Sequence, residues 1–220
     1  MQKIKQLFNT FLDFIYKKKC YFCSSTKECV KMCSKCYNEL NFSDLRPNRI
    51  LNGVSIYSAG IYEKNIQKMI RGLKYHNQKE LAYYMAKFMW EYYKQIMEKN
   101  NIIKEYQIVP VPLHKKREKK RGYNHMQLVA EELSAISKYE INNEILERIK
   151  PTKPQYKLSY AEKLKNMENA FKINPEKYNQ KPILIIDDIC TSGATLLSVI
   201  KEFKSQNIDD ITCLCASSPR

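Results

Sequence analysis

The stretch ILIIDDICTSGAT, Ile183 to Thr195, constrains this chain more than any other: an aliphatic run enters two consecutive acids, then hydroxyls around one glycine. Pro182 to Asp187 reads as a buried strand, and a helix is expected to start near Ala194. Strand, tight loop and helix make the repeating unit of parallel sheets, which bind ligands at the carboxyl edge of their strands. The two acids would face a ligand there. Thr191, Ser192, Gly193, Ala194 and Thr195 would supply hydroxyls and unpaired backbone N–H groups, a cradle for a phosphate monoester. Asp187 and Asp188 fit beside such a cradle if the ligand's sugar hydroxyls donate to them. A pair of acids that merely caps the helix is the plainer alternative, but capping needs one acid and none of the other features.

The rest of the chain from Tyr106 onward repeats the alternation. YQIVPVPL reads as a strand, HMQLVAEELSAIS as a helix, ATLLSVIKEFKSQN as a helix and ITCLCAS as a strand, with a basic loop before PILIIDD. This pattern predicts an α/β fold with a parallel sheet. Upstream, RPNRILNG (Arg46 to Gly53) reads as a turn at a domain boundary, and VSIYSAGIY as a strand pair or hairpin. Ile66, Met69, Ile70 and Leu73 form one helical apolar face; Leu81, Met85, Phe88 and Met89 form another, on a segment running to about Met97. Residues 1–45 are expected as an N-terminal module and 46–220 as the main domain. No internal repeat and no low-complexity tract is present.

Five of the eight cysteines fall between positions 20 and 36, and four of them pair as Cys20-x2-Cys23 and Cys33-x2-Cys36. Each pair can sit on a tight turn that points two thiolates at one ion, and four thiolates close a tetrahedral structural zinc site. So short a segment has little core, and metal binding would supply the missing folding free energy. The competing reading is a dithiol redox pair, which normally comes singly at a strand-to-helix junction. Cys29 is read as a spare thiol, and Cys190, Cys213 and Cys215 as small buried hydrophobes.

With 38 basic and 23 acidic residues the 220-residue chain carries a formal charge of +15, which favours phosphate-bearing partners. Only seven of the 38 are arginine, so part of the lysine excess is read as coding bias. No apolar run approaches the roughly 20 residues of a membrane span. The opening twenty residues also lack the apolar core and cleavage site of a leader, so the protein is expected in the cytoplasm. Ile4, Leu7, Phe8, Phe11, Leu12 and Ile15 follow helical spacing; docking onto the protein itself is the simpler expectation, and peripheral membrane contact the alternative.

The acidic strand end and glycine loop resemble the phosphoribosyl-pyrophosphate (PRPP) loop of type I phosphoribosyltransferases, with Cys190 where an aliphatic is usual. VPVPLHKKREKKRGYNHMQLVAEELS resembles the PVPL…R…RGFNQ…LA segment of the ComF family of competence proteins: Arg117, Arg121, Gly122, Tyr123 and Asn124 fit, and His125 replaces the usual Gln. RIKPTKPQYKLSYAEKLKNMENAFKI is similar to that family's R…T…Q…LS…R…N…AF. Arg148, Thr152, Gln155, Leu158, Ser159, Asn166, Ala170 and Phe171 are in register there, and Lys163 stands in place of the usual Arg.

The resemblance implies a small N-terminal zinc module followed by a type I phosphoribosyltransferase-like parallel sheet. It further implies a role in natural transformation, where single-stranded DNA enters the cytoplasm alongside a helicase-like competence partner. The implied chemistry is displacement of pyrophosphate from C1 of Mg2+-bound PRPP onto an acceptor, a phosphoribosyl transfer. Asp187 and Asp188 would act at the sugar, while Arg117 and Arg121, with the lysines around them, would meet the anionic leaving group. A solvated basic loop or a nucleic-acid contact are the other readings of that segment. No general base is evident; His114 and His125 are candidates by residue type only. Two alternatives stand beside the competence role: a metabolic phosphoribosyltransferase of nucleotide salvage, and a zinc-dependent nucleic-acid-binding protein with a non-catalytic phosphoribosyltransferase domain.

Overall fold

The computed structural model describes residues 19–28, 30–152 and 158–220. The amphipathic stretch from Ile4 to Ile15, Cys29 and Gln155 lie outside them. The chain divides into two compact units, Met1–Leu40 and Asn41–Arg220.

In the first unit the cysteine pairs sit on two different local structures. Cys20 closes a turn in which Ser24 N–H donates to the Cys20 carbonyl at 2.8 Å. Cys33 stands at the N-terminal cap of helix α1 (Ser34–Asn38), whose one buried residue is Cys36. A turn and a helix start thus aim two thiols each toward one point.

The second unit is a mixed α/β structure around a sheet ordered β1-β2-β8-β7-β3-β4. Its strands are β1 (Arg49–Leu51), β2 (Val54–Ile61), β3 (Gln107–Pro110), β4 (Glu140–Ile141), β7 (Ile183–Ile189) and β8 (Ile211–Ser218). All neighbouring pairs are parallel except β1 with β2. That hairpin corrects the reading of RPNRILNG as turn throughout: Asn52 and Gly53, at φ of 48° and 77°, make a turn with both central residues at positive φ. Such a two-residue turn suits the right-handed twist of paired strands, which leaves Arg49–Leu51 free to pair.

Ile183, Leu184, Ile185 and Ile186 are all fully buried. Successive strand residues point to opposite faces, so an unbroken aliphatic run requires cover on both. Ile183 and Ile185 pack in one core with Cys213, Cys215 and the helix α7 (Ala194–Ser205) residues Val199 and Phe203. The opposite face is covered by α3 (Leu81–Lys99) and α5 (His125–Ser137), which pack on each other and on β8 and β3. Helix α2 (Lys64–Tyr75) buries Ile66, Met69, Ile70 and Leu73, the face predicted for it.

Two basic segments read as loops are structured. Lys115–Arg121 forms a short helix, α4, with the His114 side chain accepting from Lys116 N–H and Gly122 ending it at φ 85°. Lysine, arginine and glutamate are good helix formers, and a glycine in the left-handed conformation is a common helix stop. Between α5 and β7 the chain forms the antiparallel pair β5 (Leu146–Arg148) and β6 (Phe171–Ile173). Helix α6 (Tyr160–Met167) lies between them in sequence, and its start is closed by a reciprocal Ser159–Glu162 capping box.

Candidate functional site

The sheet order itself marks a ligand crevice. β3 is followed in sequence by β4 on one side, whereas β7 is followed by β8 on the other, so the two chain paths diverge between β3 and β7. A switch of this kind opens a cleft beyond the carboxyl ends of the two strands. A cavity of about 240 Å³ lies there, and its lining includes Lys74 and Tyr75, Arg117 and Arg121, His125, Arg148, Asp187 and Asp188, and Thr191 and Thr195.

The strand's two-residue period gives the consecutive acids different surroundings. Asp188 falls in phase with Leu184 and Ile186, toward the helices. Its Oδ2 takes the Lys74 ammonium at 2.7 Å and His125 Nε2 at 2.5 Å. Burial alone would raise the Asp188 carboxyl, but the Lys74 charge and the His125 hydrogen bond hold it below the ordinary carboxylate range. Lys74 is held above its own ordinary value, because Asp188 outweighs the burial that opposes its charge. Asp187 falls in phase with Ile183 and Ile185 and accepts the Asp188 N–H at 2.8 Å. Burial and the neighbouring Asp188 charge push its carboxyl up. One acid is therefore held ionised by protein partners, and the other, held toward its protonated form by burial and by the first, lines the cavity beside it.

The loop after β7 folds as a cradle. Gly193 caps α7 at φ 78°, a left-handed conformation that favours glycine, and a Cβ there would stand 2.9 Å from Leu51 Cδ1, a side-chain tip that would have to shift. The first turn of α7 presents N–H groups that the helix cannot use itself, and a small depression is lined by Asp187 and residues 189–196. Arg49 on β1 braces the loop by donating to the Ser192 carbonyl at 2.6 Å. Thr191, Ser192, Gly193, Ala194 and Thr195 line this depression together with Asp187.

Arg117 and Arg121 reach the same cavity from helix α4. Arg117 donates to the Thr152 carbonyl at 2.7 Å, and Arg148 donates to the Thr152 hydroxyl, so one threonine ties two guanidiniums to the cavity wall. Arg148 is buried, and its Nε has no hydrogen-bond partner among the described residues. Burial, then the nearby Arg117 charge, lowers it to about 10. A buried guanidinium beside a second one, with no carboxylate bound to either among the described residues, is poised for an anion. Sequence reasoning left Lys74, Arg148 and Arg49 out of the site. Arg148, Thr152 and Lys74 could have been found from the family-like segments that contain them, Lys74 in IYEKNIQKMIRGLKYHNQ; Arg49 had no signal beyond its charge. His114, the other histidine considered, caps α4.

In the N-terminal unit the Sγ atoms of Cys20, Cys23, Cys33 and Cys36 all lie within 4.8 Å of one another, and Cys23 and Cys33 stand 3.6 Å apart. Four thiolates around a tetrahedral ion with metal–sulfur bonds of about 2.3 Å stand roughly 3.8 Å apart, so the set can hold one metal ion such as zinc. Burial opposes a Cys20 thiolate, but backbone N–H groups of Cys33, Cys23 and Phe22 outweigh it and bring the thiol down to about 6. That favours the metal-binding form of Cys20, whereas burial and the neighbouring thiols push Cys36 up, as four crowded thiols must when no cation balances them. Cys190, Cys213 and Cys215 are buried in the second unit, as expected.

No protein-family model matches the chain. It is similar to Competence protein F of Haemophilus influenzae, 24% identical over 198 residues, 87% of this chain and 86% of that protein. It is 23% identical to the DNA utilization protein YhgH of Escherichia coli over 203 residues, 89% of each chain. A shorter stretch of 96 residues, 42% of this chain and 36% of the relative, is 35% identical to Competence protein ComFC of Bacillus subtilis. These similarities support the resemblance to the ComF proteins. No helix among the described residues is long and apolar enough to cross a membrane.

Proposed function

We propose that this chain is a ComF-family competence protein. In this reading it binds Mg2+-PRPP in the crevice between β3 and β7 and acts on the cytoplasmic side in the import of single-stranded DNA. The observation that carries the PRPP reading is the division of labour in the crevice: an acid and a glycine cradle on one wall, and three arginines on the others. PRPP offers each wall its complement. Sugar hydroxyls donate to Asp187 and, where it has capacity left, to Asp188; the 5′-phosphate fits the cradle from Thr191 to Thr195; the pyrophosphate meets Arg117, Arg121 and Arg148. The names of the relatives, which speak of competence and DNA utilization, support the biological role.

The domain is read as a type I phosphoribosyltransferase. In the transfer the bond from C1 to the pyrophosphate oxygen breaks, pyrophosphate leaves with the electron pair, and the acceptor bonds to C1 and gives up a proton. The arginines act by stabilising charge on the leaving group. Cys20, Cys23, Cys33 and Cys36 hold a structural zinc ion, and single-stranded DNA or a helicase-like competence protein is the partner.

Titration calorimetry with Mg2+-PRPP on the wild type and on the Asp187→Ala/Asp188→Ala variant tests the site. Binding by the wild type and loss of at least about tenfold in the variant is expected, since each lost charge-assisted hydrogen bond costs about 1.5–3 kcal/mol. Equal affinity in both would refute it. In cells, the same double variant should lose transformation while growth without added nucleobases stays normal. A growth defect repaired by nucleotides, with transformation intact, would assign the site to salvage instead.

A further inference from the structure

His125 is buried at the centre of the crevice, where Arg121 NH1 approaches its Nδ1 at 2.6 Å and Asp188 Oδ2 its Nε2 at 2.5 Å. A guanidinium carries donors only. Nδ1 must therefore present a lone pair to Arg121, and the single proton of the neutral ring sits on Nε2 and is donated to Asp188. Lys74 donates to the same Asp188 oxygen at 2.7 Å. Arg121, His125, Asp188 and Lys74 thus form one hydrogen-bonded row, drawn from α4, α5, β7 and α2.

We propose that His125 is a positioning residue of this site, a neutral Nε2–H imidazole that sets the Arg121 guanidinium and the Asp188 carboxylate at fixed places across the cavity. Every direction in the row follows from that tautomer. A second proton would set Nδ1–H against the Arg121 N–H, donor against donor, and Arg121 would have to leave. A glutamine can replace the imidazole because its carbonyl oxygen accepts and its amide donates, the same polarity in the same order. This accounts for the histidine standing where the ComF resemblance carries glutamine.

The charged groups that act on the ring are Asp188, Lys74 and Arg121, and Arg117, Arg148 and Asp187 line the same cavity. Burial disfavours the imidazolium, and Lys74 and Arg121 repel it; these outweigh the pull of Asp188 and hold the ring below its ordinary pKa. The resting state at neutral pH is the one that binds Arg121.

The effect on ligand affinity rests on the PRPP reading, whereas the tautomer does not, and the test separates the two. Nitrogen NMR of the full chain labelled with 15N-histidine should show His125, one of three histidines and assigned by its loss in His125→Gln, as Nε2–H with an unprotonated Nδ1 at pH 7.5. Calorimetry with Mg2+-PRPP at pH 8 should then give His125→Gln within about threefold of wild type and His125→Leu weaker by about tenfold or more, one lost charge-assisted bond. As pH falls through the lowered pKa of the ring, the wild type should lose affinity faster than His125→Gln, a comparison that cancels ionisation of the ligand and of Asp187.

An Nδ1–H tautomer or an imidazolium at pH 7.5 would overturn the proposal. So would wild-type affinity in His125→Leu, or an affinity of His125→Gln no better than that of His125→Leu. If the wild type shows the Nε2–H tautomer but binds no PRPP at any pH, the ligand assignment fails and the row stands.

Discussion

Lys74→Met removes the ammonium from the Asp188 pair and leaves a side chain of similar length. The pair is direct, at 2.7 Å, and the two side chains are 18% and 10% exposed. Breaking a buried pair by deleting one partner costs about 3–5 kcal/mol because the remaining charge is stranded. Here Asp188 keeps its His125 bond and the cavity admits water, so the expected loss is smaller, about 2–3 kcal/mol.

Fluorescence of Trp90, the chain's one tryptophan, reports on the second unit, since the indole packs edge-on against Tyr139 at 5.5 Å. With a urea dependence of about 2 kcal/mol per molar, the midpoint should fall by about 1 M at pH 7. The pH dependence has a definite sign. Asp188, held below its unfolded value, contributes stability above about pH 4 that is lost as pH falls through its folded value. Lys74, held above its unfolded value, contributes below about pH 10 and loses that contribution as pH rises through its folded value. The part of the penalty that comes from this pair should therefore be present between these limits and shrink outside them. A loss under about 0.5 kcal/mol at pH 7, or zero coupling in the cycle of Lys74→Met with Asp188→Asn, would refute the reasoning.

The purified protein should carry about one zinc per chain by elemental analysis, and Cys33→Ser should lose it; iron, or no metal in protein prepared without chelator, would contradict the four-thiolate site. Gly193→Ala should cost about 1–2 kcal/mol from the left-handed backbone alone, and more if Leu51 and Arg49 cannot yield, with PRPP affinity falling in calorimetry as the cradle shifts. Arg148→Met should remain folded by Trp90 fluorescence, since the buried guanidinium has an orphan Nε and no bound carboxylate among the described residues. The same substitution should weaken inorganic pyrophosphate binding about tenfold or more, and unchanged affinity would remove Arg148 from the anion site.

Much of the frame was legible in the chain because local periodicity and local chemistry decide it. The aliphatic run from Ile183 to Ile186 requires cover on both faces, the apolar positions of α2 and α3 fall at helical spacing, and Gly193 answers to a local positive φ. The cysteine spacing likewise needs only a turn and a helix start to converge. Other features were illegible for the same reason in reverse. The strand at Arg49–Leu51 exists because β2 is there to pair with it. Lys74 and His125 meet Asp188 across separations of more than a hundred and of sixty-three residues, so no window of sequence relates them. Two adjacent aspartates look equivalent in a sequence. The pleat of β7 turns one toward Lys74 and His125 and leaves the other beside the cradle, and only the packed structure could give neighbouring identical side chains opposite electrostatic surroundings.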